Sequence, residues 1–280
     1  MNYTTLIPAA ELAAHMDDPH WIIFDCRHDL ADTEMGRRGY AQSRVPGAHF
    51  LHVDDDLSGT KTGANGRHPL PDTARFCARL ACAGMSHDKQ VVAYDASGGY
   101  YAARLWWMLR WLGHGHAAVL DGGWDAWRQA GLEVTAAAST IVPGTFNGIA
   151  RDQTVDAGQI LGQLNQSQLC VVDARSPDRF RGENETLDPV GGHIPGALNR
   201  FFKNNLAADG RFRPAAELRR EFTDLLGARS PAQVVHQCGS GITACHNLLA
   251  MEIAGLSGSR LYPGSWSEWC SDPGRPLARE

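Results

Sequence analysis

The chain has 280 residues, of which 43% are apolar and 20% are charged, and its formal net charge is −5. This composition is typical of a folded globular protein and excludes disorder on a large scale. The acidic balance offers no basic field for phosphates or anionic lipid headgroups, so we expect neither nucleic acid nor a membrane as a partner.

The predicted elements alternate between strands and helices along the chain. Short apolar or β-branched runs predict strands at residues 21–24, 91–94, 117–120, 169–172, 234–236 and 260–262. Stretches rich in Ala, Leu, Met and Arg predict helices at residues 101–112 and 242–254. Strands alternating with helices predict an α/β fold with mostly parallel sheets and helices on both faces.

Four landmarks of the first half recur in the same order in the second half. The first three recur at offsets of 148, 149 and 143 residues, so the period is that of a complete domain. The matched pairs are Phe24-Asp25-Cys26-Arg27 with Val172-Asp173-Ala174-Arg175, Arg44-Val45-Pro46-Gly47-Ala48 with His193-Ile194-Pro195-Gly196-Ala197, Val91-Val92-Ala93-Tyr94-Asp95 with Val234-Val235-His236-Gln237-Cys238, and Trp124-Asp125-Ala126-Trp127 with Trp266-Ser267-Glu268-Trp269. The sequence therefore predicts two copies of one domain, at residues 1–138 and 154–280, joined by a linker at residues 139–153.

The cysteines indicate a reducing compartment. The chain has seven of them, an odd number, with no C-x-x-C pair, and its first residues lack the features of a signal sequence. We therefore expect free thiols and a cytoplasmic location.

The twelve histidines do not predict a metal site. His49 with His52, and His114 with His116, stand in short loop-like stretches without thiol or carboxylate partners at ligand spacing. We expect neither a metal nor a cofactor.

Cys238 differs from the other cysteines in its surroundings. It follows a predicted strand directly and begins the loop Cys238-Gly239-Ser240-Gly241-Ile242-Thr243, which leads into a helix that we expect to begin near Ile242 or Thr243. Two glycines let the backbone N–H groups of such a loop converge on one point, and the helix N-terminus adds partial positive charge. Both effects favour a thiolate, so Cys238 is the predicted nucleophile.

These motifs together resemble the two-domain rhodaneses, the thiosulfate and 3-mercaptopyruvate sulfurtransferases, over essentially the whole chain. The resemblance rests on the Asp-x-Arg strand ends, Gly192-His193-Ile194-Pro195-Gly196-Ala197, Leu120-Asp121-Gly122-Gly123-Trp124 and the Cys238 loop. It implies two tandem rhodanese-like domains, of which only the C-terminal one is catalytic through a persulfide on Cys238. The first domain has Asp95 at the position of Cys238, so we expect a structural role there.

Within this family, the resemblance implies 3-mercaptopyruvate as the donor, because neutral Gly239 and Ser240 follow the cysteine where thiosulfate enzymes place cations. It also implies a proton relay of Ser240, His68 and Asp54, with Asp55 or Asp56 as alternatives for the acid. Arg179 matches the family arginine that binds the substrate anion. The resemblance implies that the loop residues Gly239, Gly241, Ile242 and Thr243 bind the substrate with it.

One departure from the family pattern weakens that choice of donor. A second carboxylate-binding arginine of the mercaptopyruvate enzymes falls near Leu187-Asp188, where this chain has no cation. Arg181 is a candidate to compensate, and its alternative interpretation is an ordinary surface charge.

Three other functions remain open at this point. They are a thiosulfate sulfurtransferase, a cysteine-based phosphatase, whose loop would need Arg where this chain has Ala244, and a non-catalytic rhodanese module. The expected acceptor is cyanide or a thiol, with thioredoxin as one candidate.

Overall fold

The computed structural model of the protein describes residues 2–164, 166 and 168–279. The chain forms two compact units. The first unit comprises the residues up to Gly59, Pro71–Asp152 and Ala208–Arg211. The second comprises Thr60–Leu70, Gln153–Ala207 and the residues from Phe212 onward. The segment Thr60–Leu70 therefore belongs to the second unit, although it lies within the predicted N-terminal domain.

The first unit is built on a parallel sheet of five strands. The strands are β1 (Leu6–Ile7), β2 (Trp21–Asp25), β3 (His49–Phe50), β4 (Gln90–Tyr94) and β5 (Ala117–Leu120). The helices are α1 (Ala9–Ala13), α2 (Met35–Gln42), α3 (Thr73–Cys82), α4 (Tyr100–Trp111) and α5 (Gly123–Gln129). The strand order is β1-β5-β4-β2-β3, and every pairing is parallel.

The second unit is built on a parallel sheet of four strands. The strands are β6 (Cys170–Asp173), β7 (Leu198–Asn199), β8 (Val234–Gln237) and β9 (Arg260–Leu261). The helices are α6 (Ala157–Leu161), α7 (Pro177–Phe180), α8 (Ala215–Leu226), α9 (Thr243–Ile253) and α10 (Ser265–Trp269). The strand order is β7-β6-β8-β9, again with parallel pairings.

The two sheets confirm the predicted duplication. Strands β2, β3, β4 and β5 follow the same spatial order as β6, β7, β8 and β9, respectively. In the second unit, a parallel bridge between Thr154 and Leu261 takes the position that the β1–β5 pairing has in the first unit. The predicted α/β fold with two parallel sheets is therefore confirmed, and the two predicted helices differ from α4 and α9 by one residue at each end.

The repeated Asp-x-Arg motif is a buried ion pair beneath a tryptophan. In the first unit, Arg27 Nε donates to Asp25 Oδ2 at 2.9 Å, and the guanidinium carbon lies 4.4 Å from the Trp124 ring centroid. A buried charge pair is stable only when it is well hydrogen-bonded, which explains why Asp, Arg and Trp recur together. The second unit repeats the arrangement with Asp173, Arg175 and Trp266.

The core of each unit combines apolar side chains of its strands and helices. Representative buried residues of the first unit are Ile7, Leu12, Val92, Leu120 and Trp127, and those of the second are Val155, Ile160, Val235, Trp266 and Trp269. Among the helices of the described residues, none is long and apolar enough to cross a membrane.

The burial of His236 on β8 predicts that the protein loses stability in acid. The imidazole is fully buried, with Nε2 3.1 Å from Met251 Sδ, and burial lowers its pKa to about 3. In the unfolded chain a histidine takes up a proton near pH ~6.5, so the stabilisation is present above that pH and is lost towards pH 3. We expect the free energy of unfolding to fall by on the order of 3–5 kcal/mol over this pH range because of His236. Thermal unfolding at a series of pH values measures this loss.

The matching variants are His236→Leu and, at an exposed site, His116→Leu. His236→Leu should flatten the dependence of Tm on pH below 6.5, whereas His116→Leu should leave it unchanged. An equally steep decline in His236→Leu would assign the acid sensitivity to other groups.

Candidate active site

Cys238 lies at the carboxyl end of β8, in the loop that leads into α9. Its Sγ accepts hydrogen bonds from the backbone N–H groups of Ser240 at 3.4 Å and Gly241 at 3.1 Å. The residue is only 2% exposed. Backbone dipoles that point at a sulfur atom away from bulk water stabilise negative charge on it, so the loop is suited to hold a thiolate or a persulfide.

Two features fix the shape of this loop. Gly241 adopts φ +81°, and a Cβ at that position would lie 2.5 Å from Pro263 O, so only glycine fits without a shift. The carbonyls of Cys238 and Gly239 accept hydrogen bonds from the N–H groups of Trp266 and Ser267 at the start of α10. The loop is therefore held by hydrogen bonds and close contact, which keep the N–H groups directed at the sulfur.

The matching loop of the first unit holds a carboxylate in the same kind of cradle. The fully buried Asp95 accepts four backbone N–H hydrogen bonds at 2.8 to 2.9 Å, from Ser97, Gly99, Tyr101 and Ala102. Burial raises the pKa of Asp95, and these four donors act in the opposite direction. In both units the strand-to-helix loop thus directs backbone N–H groups at one side chain, Asp95 in the first and Cys238 in the second.

Ser240 and His68 lie together beside Cys238. Ser240 Oγ is 2.7 Å from His68 Nδ1, and both residues are buried. His68 is carried by the segment Thr60–Leu70, which packs against α10 through a hydrogen bond from Arg67 N to Ser267 Oγ at 3.0 Å. This contact accounts for the placement of a residue from the first half of the sequence next to the Cys238 loop.

The three candidate acids after His52 differ in their partners. Asp55 pairs with Arg37 at 3.1 Å, and Asp56 pairs with Arg79 at 2.7 Å. Asp54 has its carboxylate 3.9 Å from His28 Nε2 in the first unit. Of the three, Asp54 is the one whose carboxylate lies near a histidine distant in sequence, His28.

His28, His52 and Asp54 together resemble a metal-binding group in their spacing. Each offers one ligand atom, and these atoms lie within 4.8 Å of one another. However, His52 Nδ1 accepts the N–H groups of Asp54 and Asp55 at 3.2 Å, and Nε2 lies 3.0 Å from Thr33 O. Because both ring nitrogens of His52 already have backbone partners, hydrogen bonding explains its position without a metal.

Arg179 reaches the Cys238 loop and is held by two carboxylates. Its guanidinium donates to Glu185 at 2.8 to 3.1 Å and lies 3.5 Å from Asp188 Oδ2. Burial acts to raise the pKa of Glu185, but Arg179 and the backbone N–H groups of Leu187 and Asp188 together outweigh it and hold that pKa below its usual value. Arg181 instead pairs with Glu183, and both side chains are about half exposed, which favours its interpretation as a surface charge.

A second arginine, Arg67, lies at the loop and was not predicted from the sequence. A Cβ built on Gly239 would lie 2.8 Å from Arg67 Nη2 and 3.6 Å from Arg179 Nη2. Arg67 forms an ion pair with Asp188, whose side chain is only 3% exposed. The available signal was its position directly before His68 in Gly66-Arg67-His68, since a segment that carries His68 to the loop carries its neighbour as well.

The Cys238 loop ends where α9 begins. Ile242 precedes the helix, Thr243 is its first residue, and Ala244 is fully buried in its first turn. A cysteine-based phosphatase needs a cationic side chain at this point to hold phosphate, and a buried methyl group cannot supply it.

The sequence matches the rhodanese-like domain at residues 8–130 and again at residues 156–272. The chain belongs to the rhodanese family. A rhodanese relative from Pseudomonas aeruginosa, named a probable 3-mercaptopyruvate sulfurtransferase, is 46% identical over 99% of each chain. The thiosulfate sulfurtransferase of Rattus norvegicus is 35% identical over 90% of this chain and 85% of its own.

A solved rhodanese structure supports the same assignment. The 3-mercaptopyruvate sulfurtransferase from Leishmania major superimposes with a TM-score of 0.85 at 33% identity, covering 95% of this chain and 74% of its own. The chain is therefore a sulfurtransferase with two rhodanese-like domains, an enzyme that takes sulfur from a donor and passes it to a cyanide or thiol acceptor.

Proposed function

We propose that this rhodanese takes the sulfur of 3-mercaptopyruvate as a persulfide on Cys238 and passes it to a thiol or to cyanide. The Cys238 thiolate attacks the donor sulfur, the carbon–sulfur bond breaks, and pyruvate leaves. An acceptor thiolate or cyanide then removes the outer sulfur and restores the Cys238 thiolate. The observation that carries the choice of donor is the 2.7 Å contact between Ser240 and His68 in the Cys238 loop.

The two candidate donors differ in what they require of a proton. In 3-mercaptopyruvate the thiol proton must leave sulfur, and the pyruvate enolate must receive a proton on carbon. Thiosulfate needs no such step, because its outer sulfur carries no proton and sulfite leaves as a stable anion. A buried hydroxyl and imidazole at hydrogen-bond distance can move this proton, so the site contains a device that only mercaptopyruvate needs.

The remaining predicted site residues have supporting roles in this proposal. Arg179 binds the donor carboxylate, and Asp54 is the acid that orients His68. The backbone of Gly239, Gly241, Ile242 and Thr243 forms the N–H cradle around the outer sulfur of the persulfide.

Thiosulfate is the second candidate donor. The two guanidinium groups at the loop favour an anionic donor, and the rat relative is named a thiosulfate sulfurtransferase. The arginines are neutralised, however, because Arg67, Arg175 and Arg179 face Asp173, Glu185 and Asp188. A formally neutral cluster attracts a dianion less strongly than two unpaired cations would.

The test compares both donors with cyanide as the acceptor. The wild-type enzyme should turn over 3-mercaptopyruvate with the higher kcat/KM. Ser240→Ala and His68→Ala should lower kcat for 3-mercaptopyruvate by about 10²- to 10⁴-fold and should affect thiosulfate much less, since only the first donor needs proton transfer. Thiocyanate formation measures both reactions.

The exposed Ser271→Ala is the matched control and should behave as wild type. If wild type prefers thiosulfate, or if both donors lose activity equally in Ser240→Ala, the choice of 3-mercaptopyruvate is wrong.

We also propose a cytoplasmic location and thioredoxin as one thiol acceptor. All seven cysteines are free, which suits a reducing compartment. A dithiol acceptor of the thioredoxin type would remove the outer sulfur and release it as sulfide when its second thiol closes a disulfide.

A further inference from the structure

Ser267 on α10 forms hydrogen bonds to two parts of the candidate active site. Its backbone N–H donates to the carbonyl of Gly239 at 3.0 Å, and its Oγ accepts a hydrogen bond from the backbone N–H of Arg67 at 3.0 Å. The first partner lies in the loop after β8, and the second directly precedes His68 in the segment Thr60–Leu70. One residue of α10 therefore connects the loop to the segment that carries its histidine.

The bond to Gly239 fixes the peptide group that joins this residue to Ser240. The carbonyl of Gly239 and the N–H of Ser240 belong to one planar group, and this N–H donates to Cys238 Sγ at 3.4 Å. The hydroxyl of Ser240 in turn lies 2.7 Å from His68 Nδ1. Through its backbone, Ser267 thus orients the peptide that carries one member of the serine–histidine pair.

The bond to Arg67 holds the other member of the pair. A serine hydroxyl can donate one hydrogen bond and accept others. That of Ser267 donates to Gly264 O at 3.2 Å and accepts from Arg67 N. Gly66 packs so closely here that a Cβ on it would lie 2.5 Å from Gly264 O. The chain before His68 is therefore seated at the start of α10 by one close contact and one hydrogen bond.

The segment Thr60–Leu70 depends on such contacts for its position. It lies between β3 and α3, and none of its residues, all of which the structure describes, belongs to a helix or a strand. A local turn, in which Thr62 N donates to Asn65 Oδ1 at 2.9 Å, shapes its exposed tip but not its fit against α10. Proton transfer between His68 and Ser240 needs hydrogen-bond distance, so a small shift of this segment is enough to slow it.

We propose that Ser267 is a positioning residue of the sulfur-transfer reaction, whose hydroxyl holds His68 at hydrogen-bond distance from Ser240. This inference rests on the proposed function, in which that pair moves the proton of 3-mercaptopyruvate. Ser267 acts through His68 and not on the donor. Its backbone bond to Gly239 does not depend on the side chain, so the N–H groups around Cys238 Sγ should stay in place when the hydroxyl is removed.

The first test compares variants that keep or lose the hydroxyl. Ser267→Ala and Ser267→Val remove it, whereas Ser267→Thr has the shape of the valine variant and keeps it. The two variants without the hydroxyl should lower kcat for 3-mercaptopyruvate about 10- to 100-fold, with little change in KM or in thiosulfate turnover, because a misplaced proton-transfer group slows only the step that needs it. Ser267→Thr should remain close to wild type.

The matched control is Ser271→Ala. Ser271 is exposed and donates to Glu268 O at 2.8 Å, the carbonyl three residues before it, as Ser267 does to Gly264 O. Its removal should leave the turnover of both donors unchanged. A loss in Ser271→Ala equal to that in Ser267→Ala would assign the effect to α10 itself and overturn the proposal.

A double variant tests whether Ser267 acts through His68. In the His68→Ala enzyme, a further Ser267→Ala should cause no additional loss of activity, because the group that the hydroxyl positions is already gone. Full additivity of the two losses would mean that Ser267 acts by another route.

Amide hydrogen exchange gives a measure that does not depend on the donor. The peptide that covers residues 60–70 should exchange faster in Ser267→Ala and Ser267→Val than in wild type and Ser267→Thr, since the N–H of Arg67 loses its acceptor. The peptide that contains the Cys238 loop should exchange as in wild type, because its bond from Ser267 N is retained.

The outcomes separate this inference from the choice of donor. If wild type prefers thiosulfate, or if His68→Ala impairs both donors equally, the choice of 3-mercaptopyruvate fails. The role of Ser267 then stands if Ser267→Ala shows the pattern of His68→Ala in smaller measure and adds nothing to it. If a folded Ser267→Ala keeps full activity, or if Ser267→Thr is as impaired as Ser267→Val, Ser267 does not position His68. Full activity of His68→Ala would overturn both proposals.

Discussion

Replacing Cys238 by serine is expected to abolish sulfur transfer from every donor, lowering kcat/KM by at least about 10³-fold. A serine hydroxyl is a far weaker nucleophile than a thiolate and cannot form a persulfide. The fold should be retained, because the change replaces one atom and keeps the backbone bonds of the loop to Trp266 and Ser267. Thiocyanate formation measures the activity, and wild type treated with donor alone should gain about 32 Da, one sulfur atom, on the Cys238 peptide.

The matched control is Cys82→Ser, since Cys82 is exposed and lies on α3 in the first unit. It should keep full activity and should still acquire the sulfur on Cys238. Residual turnover by Cys238→Ser, or a gain of 32 Da on another cysteine, would assign the chemistry to a different thiol.

The features predicted correctly from the sequence are those encoded by neighbouring residues. β-branched runs such as residues 234–236 form strands because each residue of a central parallel strand is buried on both faces. The duplication was visible because the Asp-x-Arg ends and the tryptophans form one buried ion pair in each unit, which few other residues can replace. The Cys238 loop was predictable for the same reason, because Gly241 leaves no space for a side chain.

The second arginine could not be predicted from spacing. Arg67 is 121 residues from its partner Asp188 and 172 residues from Gly239, so the sequence gives no local sign that they meet. In the sequence, the missing cation near Asp188 weakens the choice of 3-mercaptopyruvate as the donor, because the local substitute Arg181 can also be read as an ordinary surface charge. An aspartate at that position in fact recruits a distant cation, and only the packing of Thr60–Leu70 within the second unit reveals it.

The acid of the predicted relay illustrates a different limit. Three consecutive aspartates are equivalent in sequence, and their partners distinguish them only after folding, when Arg37 and Arg79 pair with Asp55 and Asp56. Asp54 lies near His28, so its partners do not select it for the relay, and its link to His68 stays a prediction.

Replacing Asp95 by alanine is expected to destabilise the first unit severely. Its carboxylate is the acceptor for four buried backbone N–H groups, and each buried donor left without an acceptor costs about 1–3 kcal/mol. We therefore expect a loss of about 4 kcal/mol or more, which corresponds to a decrease in Tm on the order of 10 °C for a domain of this size. Differential scanning calorimetry measures it.

Two further variants show that the loss comes from the cradle. Asp95→Asn keeps one oxygen for two of the donors and turns an amide towards the others, so its stability should fall between those of wild type and Asp95→Ala. Asp125→Ala changes an exposed aspartate of α5 and should stay within about 0.5 kcal/mol of wild type. If Asp95→Ala unfolds at the same temperature as Asp125→Ala, the carboxylate is not the acceptor on which the loop depends.

Because Asp95 has no sulfur to load, Asp95→Asn should still acquire a persulfide on Cys238 below its unfolding transition. Loss of that persulfide in folded Asp95→Asn would give Asp95 a part in the chemistry as well.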